Sequence, residues 1–281
     1  ISYQQRFPIQ QDSKSNLNFG ETWMPRAAAS YLVSPDFAVR ASISKGFSAP
    51  TIAEVRSSDN LINTDLKPET GTNHEVGIRW HLWNRRIILD AAAYTYQMND
   101  AIIRQVRENG AEYFQNAGKI DQKGLEASIL TYLITPQKSG IIRSLQLSSN
   151  FSLNDYTFKS YTVGENNYSG NRLTAVPKTV WTNSLNVLFP NELRLDVRSN
   201  LTAAIPLDDA NTVYAKRYHL LQGKLSWSKT IGTLCTIKLF VGADNLLNEK
   251  YSLGNDINAF GGRYFNPAPL RNYYAGMSFN F

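Results

Sequence analysis

Glu192-Leu193-Arg194-Leu195-Asp196-Val197-Arg198-Ser199-Asn200-Leu201-Thr202 is the stretch that decides the fold. Leu193, Leu195, Val197 and Leu201 fall on one side of an extended chain, and Glu192, Arg194, Asp196, Arg198 and Asn200 on the other. A β-strand turns successive side chains to opposite faces, so this segment has one oily face and one heavily charged face. The same two-residue period recurs along the chain. Phe37, Val39, Ala41 and Ile43 oppose Ala38, Arg40, Ser42 and Ser44. Val76, Ile78 and Trp80 oppose Glu75, Gly77, Arg79 and His81. Leu145, Leu147, Phe151 and Leu153 oppose Ser144, Gln146, Ser148, Asn150 and Asn154, and Ile237, Leu239, Val241 and Ala243 oppose Thr236, Lys238, Gly242 and Asp244.

The pattern predicts about twelve strands, over 1–7, 25–33, 36–44, 72–83, 86–97, 113–132, 141–156, 176–189, 192–203, 216–228, 234–243 and 272–281. Their connections alternate. Tight ones fall at Ser34-Pro35, Asn84-Arg85, 135–140, Pro190-Asn191 and 229–232, and long ones at 8–24, 45–71, 98–112, 157–175, 204–215 and 244–271. One end of the structure then carries turns and the other large loops, which is the polarity of an outer-membrane barrel. Greek-key sandwiches do not keep it so regularly. Several strands exceed the roughly 9–11 residues that cross a bilayer at a tilt. Trp80, Trp83, Trp181 and Trp227 fall near predicted strand ends, where aromatic residues gather at membrane interfaces.

Composition bounds the reading without deciding it. The 281 residues are 42% hydrophobic, and no run of residues is apolar enough for a spanning helix. Alternating strands hide a membrane barrel from hydropathy, so soluble and membrane all-β folds both stay open on composition. The formal charge of +6 comes from scattered Lys and Arg, without the clustering that nucleic acid requires. The single cysteine, Cys235, allows no disulfide framework, and His74, His81 and His219 lack metal-ligand spacing. No hydrolase nucleophile motif is present, so an enzyme is not expected, nor a cofactor.

The last ten residues, Asn272 to Phe281, put Tyr273, Ala275, Met277, Phe279 and Phe281 on one face. A terminal strand ending flush on Phe281 resembles the signal read by the machinery that assembles outer-membrane barrels, which is therefore an expected partner.

Several blocks taken together resemble the TonB-dependent outer-membrane receptors. Ser44-Lys45-Gly46-Phe47-Ser48-Ala49-Pro50 resembles the "SxGFxAP" end of an ascending strand. Asn63-Thr64-Asp65-Leu66-Lys67-Pro68-Glu69 resembles "NPxLKPE", and His74-Glu75-Val76-Gly77-Ile78-Arg79 resembles "xExGxR". Asn116-Ala117-Gly118 with Gly124-Leu125-Glu126 resembles "NxG…GxE", and Val241 to Tyr251, containing Asn245 and Leu246, resembles "xVxNLLxxxY". Gly262-Arg263-Tyr264, Pro267-Ala268-Pro269 and Arg271-Asn272 resemble the loop before the last strand. Structural roles are expected for these residues: Gly46 and Pro50 shape a strand exit, Asn245 ties a strand-to-loop turn, and Glu75, Arg79 and Glu126 point inward.

The resemblance implies a barrel of about 22 strands around an N-terminal plug. The sequence therefore reads as the C-terminal part of an antiparallel transmembrane β-barrel, beginning within an ascending strand and lacking the plug. It also implies uptake of a scarce nutrient across the outer membrane, energised through TonB. A ferric siderophore is expected first and cobalamin second. Haem is disfavoured because 51–62, between two family blocks, contains no His. Candidate ligand contacts in the loops are Arg56, Tyr161, Tyr168, Arg172, Tyr214, Arg217, Arg263 and Tyr264, since Arg and Tyr recognise anionic aromatic chelates by charge and stacking. Bracing of one loop against another is the competing role for the same residues. A passive porin and a soluble β-sandwich binding module remain the alternatives.

Overall fold

The computed structural model describes residues 2–7, 10–16, 21–232 and 235–280. In chain order the elements are β1 (Ser2–Phe7), β2 (Gln10–Asn16), β3 (Arg26–Ser34), β4 (Phe37–Ser48), the helical turn α1 (Ile52–Val55), β5 (Glu69–Leu82), β6 (Ile87–Val106), β7 (Glu112–Ile134), β8 (Ser144–Ser160), β9 (Thr162–Val163), β10 (Asn166–Asn167), β11 (Thr179–Leu188), β12 (Leu193–Thr202), β13 (Ile205–Pro206), β14 (Tyr214–Ala215), β15 (Tyr218–Ile231), β16 (Cys235–Asp244) and β17 (Asn272–Asn280). Eleven of these strands form one antiparallel sheet in the order β17-β16-β15-β12-β11-β8-β7-β6-β5-β4-β3. Each pairs with its neighbours in sequence among the long strands, as a meander does.

The register explains why the alternation matters. Directly opposed residues share a face in an antiparallel sheet. Leu145, Val187, Leu195, Leu225, Val241 and Ala275 form one continuous row across six strands. One residue further along, Gln146, Asn186, Asp196, Lys224, Gly242 and Tyr274 form a row on the other face. The apolar rows are uncovered: Val76 is 59% exposed and Val241 55%. Among the described residues the long strands make their contacts with hydrogen-bonded neighbours and have no second layer. A sandwich would bury these rows against another sheet. A wall facing acyl chains needs no such cover.

On the polar face charges pair along and across strands. Asp90 accepts from both Arg40 and Arg79 at 2.8 Å, and Glu75 lies 3.7 Å from Arg40. The motif glycines make room for this lining. A Cβ at Gly77 would stand 2.7 Å from the Arg40 guanidinium carbon, and one at Gly124 would run into the Tyr94 ring. A long side chain lying flat across a cross-strand glycine leaves no space for any other residue there.

Two expectations need correction. The predicted long loop at 8–24 contains β2, which pairs with β1 as a two-stranded ladder separate from the main sheet. Residues 10–16 read Gln-Gln-Asp-Ser-Lys-Ser-Asn, with no apolar period to reveal a strand. The predicted loop at 98–112 is mostly ladder, because β6 and β7 remain paired from Ile87↔Thr131 out to Val106↔Glu112. Their 20 and 23 residues far exceed a bilayer crossing, so the hairpin stands beyond the membrane. The remaining turn–loop polarity is as expected. Phe281 lies outside the described residues.

Candidate functional site

The long loops gather at one end of the sheet and are packed there. Ala101, Ala117, Ile120, Phe158 and Tyr161 form a buried cluster where the β6–β7 extension meets the end of β8. A second cluster, Val55 and Leu66 backed by Ile62, Ile102 and Phe114, fastens the 49–68 loop to the same hairpin. Two family-like blocks supply the fasteners. Asn63 donates to the Phe114 carbonyl at 3.0 Å, Glu69 accepts from the Ile102 amide at 2.8 Å, and Asn116 bonds both backbone groups of Lys67 at 2.9 Å. A Cβ on Gly118 would collide with the Ser160 carbonyl, so the glycine lets β8 approach. Thr51 and Glu54 form a reciprocal capping box that starts α1 directly after the buried Pro50. Gly46 and Phe47 sit half-buried near the end of β4, and Pro68 lies half-buried just before β5.

Asp209 is the hub. It is 3% exposed and has no cationic partner among the described residues. Its carboxylate accepts from Tyr161 Oη at 3.1 Å, Gln105 Nε2 at 2.9 Å, Asn258 Nδ2 at 3.1 Å and Thr174 Oγ1 at 2.5 Å, while Asn171 donates to its carbonyl at 2.8 Å. These partners come from β6, from the 161–178 and 245–271 loops, and the hub itself from the 203–217 loop. Four neutral donors hold the charge in place of a salt bridge. Asp209 sits in no recognisable motif. Its neighbour Asp208 carries a local signal, because its carboxylate accepts from the Thr212 and Val213 amides at 2.8 and 3.0 Å, the habit of Asp at turns.

The sequence-derived candidates separate into two groups here. Tyr161 is 2% exposed, stacked at 4.8 Å on Phe158 and at 5.5 Å on Tyr168. Burial, then the Asp209 charge, pushes its phenol well above the usual tyrosine range. Arg172 exchanges backbone bonds with the Asn211 side chain at 2.8 and 3.0 Å. These three residues belong to the packing of the loops. Arg56, Tyr214, Arg217 and Arg263 are exposed. Arg56 bonds Asn60 at 2.6 Å. Tyr264 is half-buried with its ring edge-on to Phe265 at 6.3 Å, and burial, then Asp208, raises its pKa. Asn245 is 3% exposed and bonds both backbone groups of Glu249, at 2.8 and 2.9 Å, and the Pro269 carbonyl at 3.3 Å. Leu246 donates its amide to the Leu221 carbonyl at 2.8 Å. Glu75 and Arg79 lie on the polar face with the exposed Glu126. Among the described residues no group of three or more His, Cys, Asp or Glu is placed to hold a metal ion.

An unlayered meander with an apolar outer face, a charged inner face, and turns and loops at opposite ends defines the wall of an outer-membrane β-barrel. The family described as TonB dependent receptor-like, beta-barrel, matches residues 4–246. The chain belongs to that family, whose place is the outer membrane of Gram-negative bacteria. The vitamin B12 transporter BtuB of Vibrio cholerae serotype O1 is 24% identical over 276 residues, which are 95% of this chain and 38% of the relative. The chain thus spans well under half the length of the curated relatives it matches. Among solved structures, the unliganded ferric citrate transporter FecA superposes with a TM-score of 0.70 at 14% identity, covering 96% of this chain and 38% of that one. The ferric yersiniabactin uptake receptor FyuA of Yersinia pestis superposes at 0.67 with 20% identity, covering 95% and 38%.

Proposed function

We propose that the chain is the C-terminal part of the barrel of a receptor for TonB-dependent uptake, with a ferric siderophore as its ligand. The parent protein adds an N-terminal plug and the segment that meets TonB, and the role is binding and passage, not bond chemistry. The observation that carries the reading is the loop end. Its loops are locked to one another by buried polar bonds, while Arg217 and Arg263 stay exposed with no hydrogen bond or ion pair to the described residues. Uncommitted guanidinium groups and Tyr214 gathered at this end suit an anionic aromatic chelate, which they can hold by charge and stacking. Cobalamin is the second reading, favoured by the match to BtuB along almost the whole chain.

The test is equilibrium binding to the full-length receptor in detergent micelles, with a ferric tris-catecholate chelate and cyanocobalamin as probes. Saturable chelate binding, weakened at least tenfold in Arg217→Ala/Arg263→Ala, is the expected result. Saturable binding of cyanocobalamin alone transfers the function to the second reading. Passive conductance of the protein in planar bilayers, with neither probe bound, makes it a porin.

A further inference from the structure

The loop joining β16 to β17 lands far from its own strands. Its stem is fixed at home, by the Asn245 bonds and by Tyr251 stacked on Tyr218 at 5.0 Å. Beyond the stem, residues 251–268 form their own bonded hairpin: Ala268 donates to Tyr251, Leu253 to Asn266 and Asp256 to Tyr264, at 3.0 ± 0.1 Å. The tip reaches β6, which five strands, β15, β12, β11, β8 and β7, separate from β16 in the sheet order. There Asn258 donates its side-chain amide to the Arg104 carbonyl at 3.2 Å and to Asp209 at 3.1 Å, accepts from the Asp209 amide at 3.1 Å, and donates its own backbone amide to Leu207 at 2.8 Å. Among the described residues, every hydrogen bond that 255–263 makes outside this hairpin runs through Asn258.

We propose that residues 251–268 are a strap over the outer mouth, latched by Asn258 onto Asp209, whose tip swings free when that single residue lets go. Three observations make the latch breakable. Gly254, Gly261 and Gly262 bracket the tip at φ of 67°, 66° and 72°, each with open space where a side chain would be. They supply backbone freedom on both sides of Asn258. Asn255 Oδ1, beside the latch in sequence, is buried with no hydrogen-bond partner. A buried acceptor without a donor disfavours the closed state, and opening lets water satisfy it. The ring of Phe260 adds little to the latch: it rests 3.7 Å from where a side chain on Gly110 would begin, and is itself 49% exposed. A closed state held by one residue and opposed by its neighbour is a two-state element, whose populations shift with modest free energy. The latch does not depend on which ligand the receptor takes.

The test is hydrogen–deuterium exchange on the full-length receptor in detergent micelles. Asn258→Ala is expected to speed exchange of amides 255–262 and of Asp209 at least tenfold, with β15, β16 and β17 unchanged. Asn255→Ala removes the orphaned acceptor and is expected to act in the opposite direction, slowing exchange of the same amides a few-fold. The proposal is overturned if Asn258→Ala leaves the tip as it was, if its effect spreads into the three strands, or if Asn255→Ala speeds exchange as Asn258→Ala does. A Gly110→Cys/Phe260→Cys disulfide in a Cys235→Ser background supplies an independent measurement. Oxidised, it is expected to abolish the extra exchange of Asn258→Ala; persistence of that exchange overturns the proposal.

Discussion

The strand region and the loop end of this protein are built on opposite plans. Along the strands the large apolar residues are outermost: Trp80, Leu125, Leu147, Trp181, Leu225, Leu239 and Met277 are all exposed, and the charges face inward. At the loop end the order is that of a water-soluble domain, with Val55, Leu66, Ile120, Phe158, Tyr161 and Leu207 buried. One chain therefore folds in two solvents. Lipid removes the reason to hide apolar side chains but makes every backbone hydrogen bond obligatory, so the strands are long and the nine interior strands of the sheet are paired on both sides. Beyond the membrane, water restores the hydrophobic drive, and the loops acquire small cores with Asp209 as a polar centre.

The sharpest way to break the contrast is to remove the largest buried ring of the loop end. Tyr161→Ala is expected to cost about 3–5 kcal/mol locally, as large-to-small changes in a packed core do. The loss should appear as protease nicking within 157–178, with the barrel bands on unheated gels unchanged. The same site gives a pH signature. The folded tyrosine ionises above the ordinary value of 10.0, so its contribution to stability is fully present below pH 10.0 and is lost as pH rises beyond it. Alkaline titration should open the loop end before the strands, and exchange rates at Phe158 and Asp209 would report it.

Neighbouring residues on opposite faces supply the next test. Val197→Arg places a charge on the acyl-facing row and is expected to cost roughly 2–4 kcal/mol. Arg198→Ala, one residue on, changes the wet face and should stay within about 0.5 kcal/mol. Denaturant titration in lipid vesicles measures both, and equal costs would remove the two-solvent account. Asp209→Ala strands four donors and is expected to loosen the loops by about 1–3 kcal/mol, seen as faster exchange at Tyr161 and Asn258 together. The inner wall supplies the last test. Gly124→Ala forces the Tyr94 ring aside at a cost of about 1–2 kcal/mol. Adding Tyr94→Ala to it should cause no loss beyond that of Tyr94→Ala alone, the mark of a coupled pair.

Legibility followed the same division. The strand faces could be read because a period of two imposed by lipid on one side and water on the other leaves a regular trace, as at 193–201. The sequence suggests a backbone tie only for Asn245, which bonds Glu249; Asn63, Glu69 and Asn116, legible only as parts of family-like blocks, fasten backbone as well. The β6–β7 extension was obscured because Asp100, at φ 55°, interrupts the alternation. Tyr161 looked like a ligand contact because a tyrosine in a loop carries no label of depth. Asp209 could not be read at all, since its four donors lie 35 to 104 residues away.

The amino-acid order by itself determined that this is a meander of membrane-crossing strands, and which side of each meets lipid, because those properties are set by neighbours one and two residues apart. Only the tertiary structure decided which loop residues are buried, which carboxylate binds them together, and how far the last loop reaches. Those depend on contacts between segments brought together by sheet pairing, and such contacts leave no periodic mark on the chain.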